Sequence, residues 1–326
     1  MSGGIDRRSM LAGAAGALAA TPALAQQQPQ TPPRAKGPIV FLDYDQAELD
    51  AAYDQAAYAP NEQQILRRYA SNSDLTRGRL GQPERLAYGP TEIEKLDVFR
   101  SKRPHAPIHI FVHGGAWRGG AARDYAFPAD SFAAAGAVYV VPDFVAVQNA
   151  YGNLMPMAEQ VQRAIAWTYR NAIRFGGDRD RIYVSGHSSG GHLCAVALTT
   201  DWNNHGVPPD IIKGAACISG LYDLKPVRLS TRSSYVKLND MTEGELSPIR
   251  HLDKIRTPLA VFYGTDETPE FQRQNRDFAA ALQAAGKPVQ LIQAENYNHF
   301  ELVETLANPQ GIVGRVALTQ MKLGPG

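Results

Sequence analysis

Residues 186–191 read Gly-His-Ser-Ser-Gly-Gly, set between an apolar, strand-like run (Ile182, Tyr183, Val184) and a helix-like run from His192 to Thr200. A serine with glycine two residues to either side, at a strand-to-helix boundary, predicts a turn that only small neighbours permit. Such a turn lifts the Ser188 hydroxyl clear of the sheet. The pattern by itself constrains little, since average glycine and serine usage produces it in roughly one chain in ten. Its setting in this chain is what narrows the fold.

Upstream, His113-Gly114-Gly115-Ala116-Trp117 closes a strand-like run from Ile108 to Val112. Glycines at a strand end let backbone N–H groups approach a bound carbonyl, so Gly114 and Gly115, with the N–H of Ser189, are expected to form an oxyanion hole. Downstream, the run Leu259 to Tyr263 ends in Gly264-Thr265-Asp266-Glu267, and Asn298-His299-Phe300 follows the run Val289 to Ile292. The chain order is serine, acid, histidine, which is the order of the α/β hydrolase fold and of neither common serine-protease arrangement. His299 is the expected base for Ser188, because His187 lies inside the turn, His192 on the following helix and His113 in the glycine segment. Either Asp266 or Glu267 can orient it; their adjacency leaves the choice open.

The rest of the chain fits a mostly parallel sheet with helices on both faces. Strands are expected at Ile108–Val112, Val138–Val141, Arg181–Ser185, Gly214–Ile218, Leu259–Tyr263 and Val289–Ile292, with an amphipathic helix over Met157–Phe175. Arg85–Tyr88 and Leu96–Phe99, around Gly89-Pro90, predict an antiparallel pair at the sheet edge. Asp45–Tyr69 predicts an N-terminal helical segment over the sheet or near the site mouth. The long irregular stretch Leu224–Leu252 predicts a small cap insertion at the pocket rim.

The 326 residues, 44% of them hydrophobic, suffice for one large domain, expected over 39–326. With 33 Lys and Arg against 32 Asp and Glu, no net field favours nucleic acid. Residues 1–25 carry Arg7-Arg8, a mild apolar run and Ala23-Leu24-Ala25, which predict a twin-arginine-type signal peptide cleaved after Ala25 and a periplasmic or secreted product. The apolar run is too short to span a bilayer, and no membrane span is expected in the mature chain. Residues 26–38, rich in Gln and Pro, predict a solvated linker. Cys194 and Cys217 are expected as buried free thiols. His105, His109 and His113 recur every fourth residue, but four residues of strand advance about 13 Å, so they are not expected to share a metal ion. No cofactor is expected.

Taken together, His113–Trp117, Asp180–Leu193, Ser219-Gly220-Leu221-Tyr222-Asp223-Leu224, Pro269-Glu270-Phe271-Gln272-Arg273-Gln274 and Asn298-His299-Phe300 resemble the arylformamidase (kynurenine formamidase) branch of the α/β hydrolases, over about Leu86 to Leu306. The resemblance implies Glu267 as the triad acid, since in similar proteins the carboxylate stands two residues before the Pro-Glu-Phe segment. It also implies hydrolysis of a small ester or aryl formamide through an acyl-enzyme. Trp117, Tyr222 and Phe300 are expected to give the pocket aromatic faces. A non-catalytic binding protein on the same scaffold, or a peptidase, remain the alternatives at this point.

Overall fold

Strand geometry and helix crossovers sort the apolar residues of this chain into two cores, one on each face of a sheet. The computed structural model describes residues 34–324, so the expected signal peptide lies outside the described residues. From Gly37 onward the described residues cluster as one compact unit. A two-stranded ribbon, β1 (Ile39–Phe41) and β2 (Tyr44–Asp45), leads into α1 (Gln46–Ala51) and, after a 3-10 turn at Gln55–Tyr58, into α2 (Glu62–Leu80). Then follow β3 (Glu84–Ala87), β4 (Lys95–Phe99), β5 (Ala106–Val112), α3 (Ala129–Ala135), β6 (Val138–Pro142), α4 (Met155–Asn171), β7 (Gly177–His187) and α5 (Ser189–Leu198). The second half contains β8 (Ile212–Ile218), α6 (Lys225–Leu229), α7 (Asp240–Glu245), β9 (Leu259–Asp266), α8 (Pro269–Ala284), β10 (Val289–Asn298), α9 (His299–Glu304) and α10 (Ile312–Gln320).

The main sheet has eight strands in the order β10-β9-β8-β7-β5-β6-β4-β3. It is parallel except for β4, which runs antiparallel to both β6 and β3 at the edge. Alternation along each strand divides the core. Ile108, Ile110 and Val112 of β5 pack with α4, α5 and α8, whereas Phe111 packs with α2, α3, α9 and α10 on the opposite face.

Between β5 and β7 the chain reverses its direction of travel across the sheet, because β6 lies to one side of β5 and the next strand, β7, to the other. Loops leaving such neighbours diverge and open a crevice at the carboxyl ends of the strands. The register sets Val112 beside Gly186 and His187 beside Ile218, so the loops after β5, β7 and β8 leave the sheet at one level.

The expected strands and the edge pair are all present, each within a few residues. The N-terminal helical segment lies at the site mouth, where Tyr53, Asp54 and Glu62 line the cavity, and it consists of α1, the 3-10 turn and α2, each started by its own cap or break. Asp45 closes a capping box with Glu48, the Asp54 side chain accepts from the Ala56 N–H, and Pro60 precedes α2. α2 also runs on to Leu80, and its buried face there is polar: Ser73 and Thr76 are buried, and the Ser73 hydroxyl accepts from the Phe127 N–H at 3.0 Å. A buried serine carries no hydrophobic period. Cys194 and Cys217 are buried and unbridged. Among the described residues no helix is long and apolar enough to cross a membrane.

Candidate active site

Ser188 is the single residue between β7 and α5, with φ 56° and ψ −123°. That backbone is strained for any residue with a Cβ and is held by its surroundings. The Ser188 N–H donates to the Ile218 carbonyl at 2.8 Å, and the Ser188 carbonyl accepts from the His192 N–H at 3.1 Å. Glycine is required on both sides. A Cβ on Gly186 would collide with the Gly190 carbonyl, and one on Gly190 with the carbonyls of Val112 and His113.

The loop after β5 folds into a turn in which Arg118 and Gly119 donate to the Gly115 carbonyl at 2.9 and 3.0 Å. Gly115 has φ 118°, and Ala116 and Trp117 also have positive φ. Gly115 and Ala116 line a cavity of about 420 Å³ together with Ser188, His187, His299 and Phe300. Gly114 instead packs against the His187 carbonyl and is not part of the cavity lining. Ala116 is therefore a cavity residue that the glycine pattern did not reveal. Ser189 opens α5, where backbone N–H groups lack intrahelical acceptors.

His299 begins α9, directly after β10. Asn298 caps that helix by accepting from the Phe300 and Glu301 N–H groups at 3.0 Å each, and the Glu301 side chain accepts from the Asn298 N–H. The His299 Nδ1 lies 3.0 Å from Glu267 Oε2. Glu267 is fully buried, and its other oxygen accepts from the Ser219 hydroxyl at 2.6 Å and the Gly264 N–H at 2.7 Å. Asp266, the preceding residue, is exposed, and among the described residues its side chain reaches only Thr265, at 3.5 Å. The geometry thus brings Glu267, and not Asp266, to the histidine. Since a carboxylate only accepts, His299 Nδ1 carries its proton and Nε2 presents a lone pair. His187 adds a brace that the sequence did not show: its Nε2 donates to the His299 carbonyl at 2.8 Å.

Two aromatic residues expected at the pocket lie elsewhere. Trp117 is buried in the core, where its indole N–H donates to His192 Nδ1 at 3.2 Å and ties the glycine loop to α5. Tyr222 is fully buried, stacked on Phe278 at 4.0 Å, with its hydroxyl donating to Asn275 at 3.0 Å. Neither lines the cavity, because each ring finds a polar partner and apolar packing behind the site wall. Only Phe300 is in the lining, edge-on to His299 at 5.1 Å. The Pro269–Gln274 and Ser219–Leu224 segments support each other. Gln274 Oε1 accepts from the N–H groups of Tyr222 and Asp223 at 2.7 and 2.9 Å, while Ser219 holds Glu267.

His109 is buried with its Nε2 2.7 Å from the Ser185 hydroxyl, and His113 is buried with its Nδ1 2.9 Å from the Gly114 carbonyl. A larger groove of about 1320 Å³, between the end of α2, residues 99–103 and the C-terminal residues, contains neither the serine nor the histidine. Ser188 and His299 line the smaller cavity.

Burial lowers the pKa of four histidines, to about 3 for His109 and about 4 for His192, and also below the ordinary value for His113 and His187. Each stays neutral in the fold but takes up a proton near pH 6.5 when unfolded. Stability is therefore fully present above pH 6.5 and is lost as pH falls toward the folded-state values. Denaturant midpoints measured at pH 7.5, 6.0 and 5.0 are expected to fall steeply; a flat profile would show that these side chains charge without penalty.

An eight-stranded, mostly parallel sheet with a serine on a strained turn beside a buried Glu-His pair defines a serine-type hydrolase of the α/β hydrolase fold. The sequence comparisons narrow this. The chain is 31% identical over 238 residues to the kynurenine formamidase of Danio rerio, covering 71% of this chain and 79% of that one, and it belongs to the kynurenine formamidase (arylformamidase) family of esterase-like α/β hydrolases. It is also 30% identical over 254 residues to esterase LipQ of Mycobacterium tuberculosis, covering 68% and 58% of the two chains. Family models match residues 96–215 (BD-FAE) and 157–310 (prolyl oligopeptidase family). The fold resembles that of a Pyrobaculum calidifontis esterase, with a TM-score of 0.63 at 18% identity over 84% of this chain and 95% of that one.

Proposed function

We propose that the chain hydrolyses small carboxylic esters or aryl formamides through an acyl-enzyme, with Ser188 as nucleophile, His299 as base and Glu267 as the carboxylate that orients it. The observation that carries this reading is the Glu267–His299 contact in the cavity lined by Ser188. Ser188 Oγ attacks the carbonyl carbon as His299 Nε2 takes its proton, and the N–H groups of Gly115, Ala116 and Ser189 receive the oxyanion. Collapse breaks the C–O or C–N bond, and His299 returns the proton to the leaving group. Water, activated by the same imidazole, then cleaves the acyl-serine ester. With the leader expected over residues 1–25, this chemistry belongs outside the cytoplasm.

A cavity of about 420 Å³ lined by the aromatic residues Phe300, Tyr53, Tyr69 and Tyr125 suits a short acyl group and a planar leaving group. Formyl and acetyl derivatives of phenols and anilines are expected to be cleaved with kcat/KM at least about tenfold above octanoyl esters, and a fluorophosphonate is expected to label Ser188 alone. A preference for acyl chains of eight or more carbons, or labelling at another serine, would refute the assignment.

A further inference from the structure

The insertion between β8 and β9 reaches the cavity wall through Arg232, in the 3-10 turn Thr231–Ser234. Its residue is 8% exposed. Of the five guanidinium N–H donors, one donation is made among the described residues, from Nη2 to the Tyr53 carbonyl at 3.1 Å. The group lies over the rings of Tyr53, Trp117 and Phe271, at 5.1, 5.7 and 5.9 Å. Among the described residues no carboxylate stands within ion-pair distance of it, whereas Arg85, Arg163 and Arg273, also at partly buried positions, each pair with an acid. Buried charges are ordinarily paired, and aromatic faces compensate a desolvated cation only in part.

A second, independent observation lies on the same wall. The Tyr53 hydroxyl is buried and has no hydrogen-bond partner. Burial raises its pKa well above the ordinary phenol value, so it remains a donor. Two donors short of acceptors thus share the cavity with Ser188 and His299. The acids of the cavity do not serve them: Asp54 caps the 3-10 turn through the Ala56 N–H, and Glu62 sits in the first turn of α2.

We infer that Arg232, which lies over the Tyr53 ring on this wall, holds a carboxylate of the substrate, so that the enzyme selects anionic esters or amides over neutral ones of the same size. The inference rests on the serine-hydrolase reading of this cavity. A guanidinium offers a carboxylate two parallel N–H donors, and such charge-assisted pairs are about twice as strong as neutral ones.

The test uses isosteric pairs that place the charge on either half of the substrate: 4-carboxyphenyl acetate against 4-carbamoylphenyl acetate, and phenyl hydrogen succinate against phenyl succinamate. Each kcat/KM is divided by the rate of hydroxide hydrolysis, and 4-(trimethylammonio)phenyl acetate serves as the cationic arm. The anionic member of at least one pair is expected to lead by about tenfold or more. Arg232→Gln brings that ratio to near one, and Arg232→Lys gives an intermediate value. Wild-type ratios near one in both pairs, a ratio that survives in Arg232→Gln, or a lead for the cationic ester, which would assign the wall to Asp54 and Glu62, would each overturn the inference. If Arg232→Gln does not fold, the wild-type ratios, together with competitive inhibition by benzoate but not benzamide, decide the matter. Failure to cleave any of these esters, with no fluorophosphonate label on Ser188, would count against the hydrolase reading instead.

Discussion

Ser188→Ala is expected to lower kcat for a short aryl ester by on the order of a millionfold, since a triad whose nucleophile is lost retains little beyond binding and oxyanion stabilisation. Folding is expected to survive. The Ser188 side chain makes no capping hydrogen bond to α5, and the backbone bonds of the turn, to Ile218 and from His192, do not involve the hydroxyl. Burst and steady-state kinetics on a protein shown by circular dichroism to be folded provide the measurement. Turnover within tenfold of wild type would mean that another group carries the attack.

The second large effect concerns the carboxylate. Glu267→Gln is expected to lower kcat by about four orders of magnitude, whereas Asp266→Asn leaves it within about threefold, as for other surface changes away from a site. Two donors already face Oε1 of Glu267, the Ser219 hydroxyl and the Gly264 N–H. An amide at this position must give its oxygen to them and turn its NH₂ toward His299 Nδ1. That nitrogen must then act as acceptor, the proton moves to Nε2, and the imidazole can no longer take a proton from Ser188. Parallel kinetics on the two variants check this, and a more damaging Asp266 change would place the acid one residue earlier.

Much of the candidate site's geometry has a local cause in the sequence. The elbow needs Gly186 and Gly190 within two residues of the serine, and the start of the helix carrying His299 is announced by Asn298 and Glu301 three positions apart. The choice between Asp266 and Glu267 had no local cause. It depends on which neighbour ends β9 facing solvent and which turns inward to Ser219, a residue forty-eight positions away. Trp117 and Tyr222 misled for a related reason. Their partners, His192 and Asn275, lie seventy-five and fifty-three residues downstream, and nothing near the rings in sequence marks them as core. Arg232 escaped notice because an arginine among serines and threonines reads as a solvated loop. Its burial is created by Tyr53, Trp117 and Phe271, which come from three separate parts of the chain.

The cavity draws its parts from two kinds of structure. Ser188 and His299 stand at the ends of β7 and β10, in the alternating framework, while Tyr53, Asp54, Gln55, Glu62 and Arg232 come from the N-terminal helical segment and the insertion after β8. These outer segments contribute no strand to the main sheet. Drift in them can therefore reshape what enters the cavity while the register that aligns serine, histidine and glutamate stays fixed. A lineage built this way can change diet without relearning its chemistry, and a protein engineer seeking new selectivity has the same freedom in those two stretches.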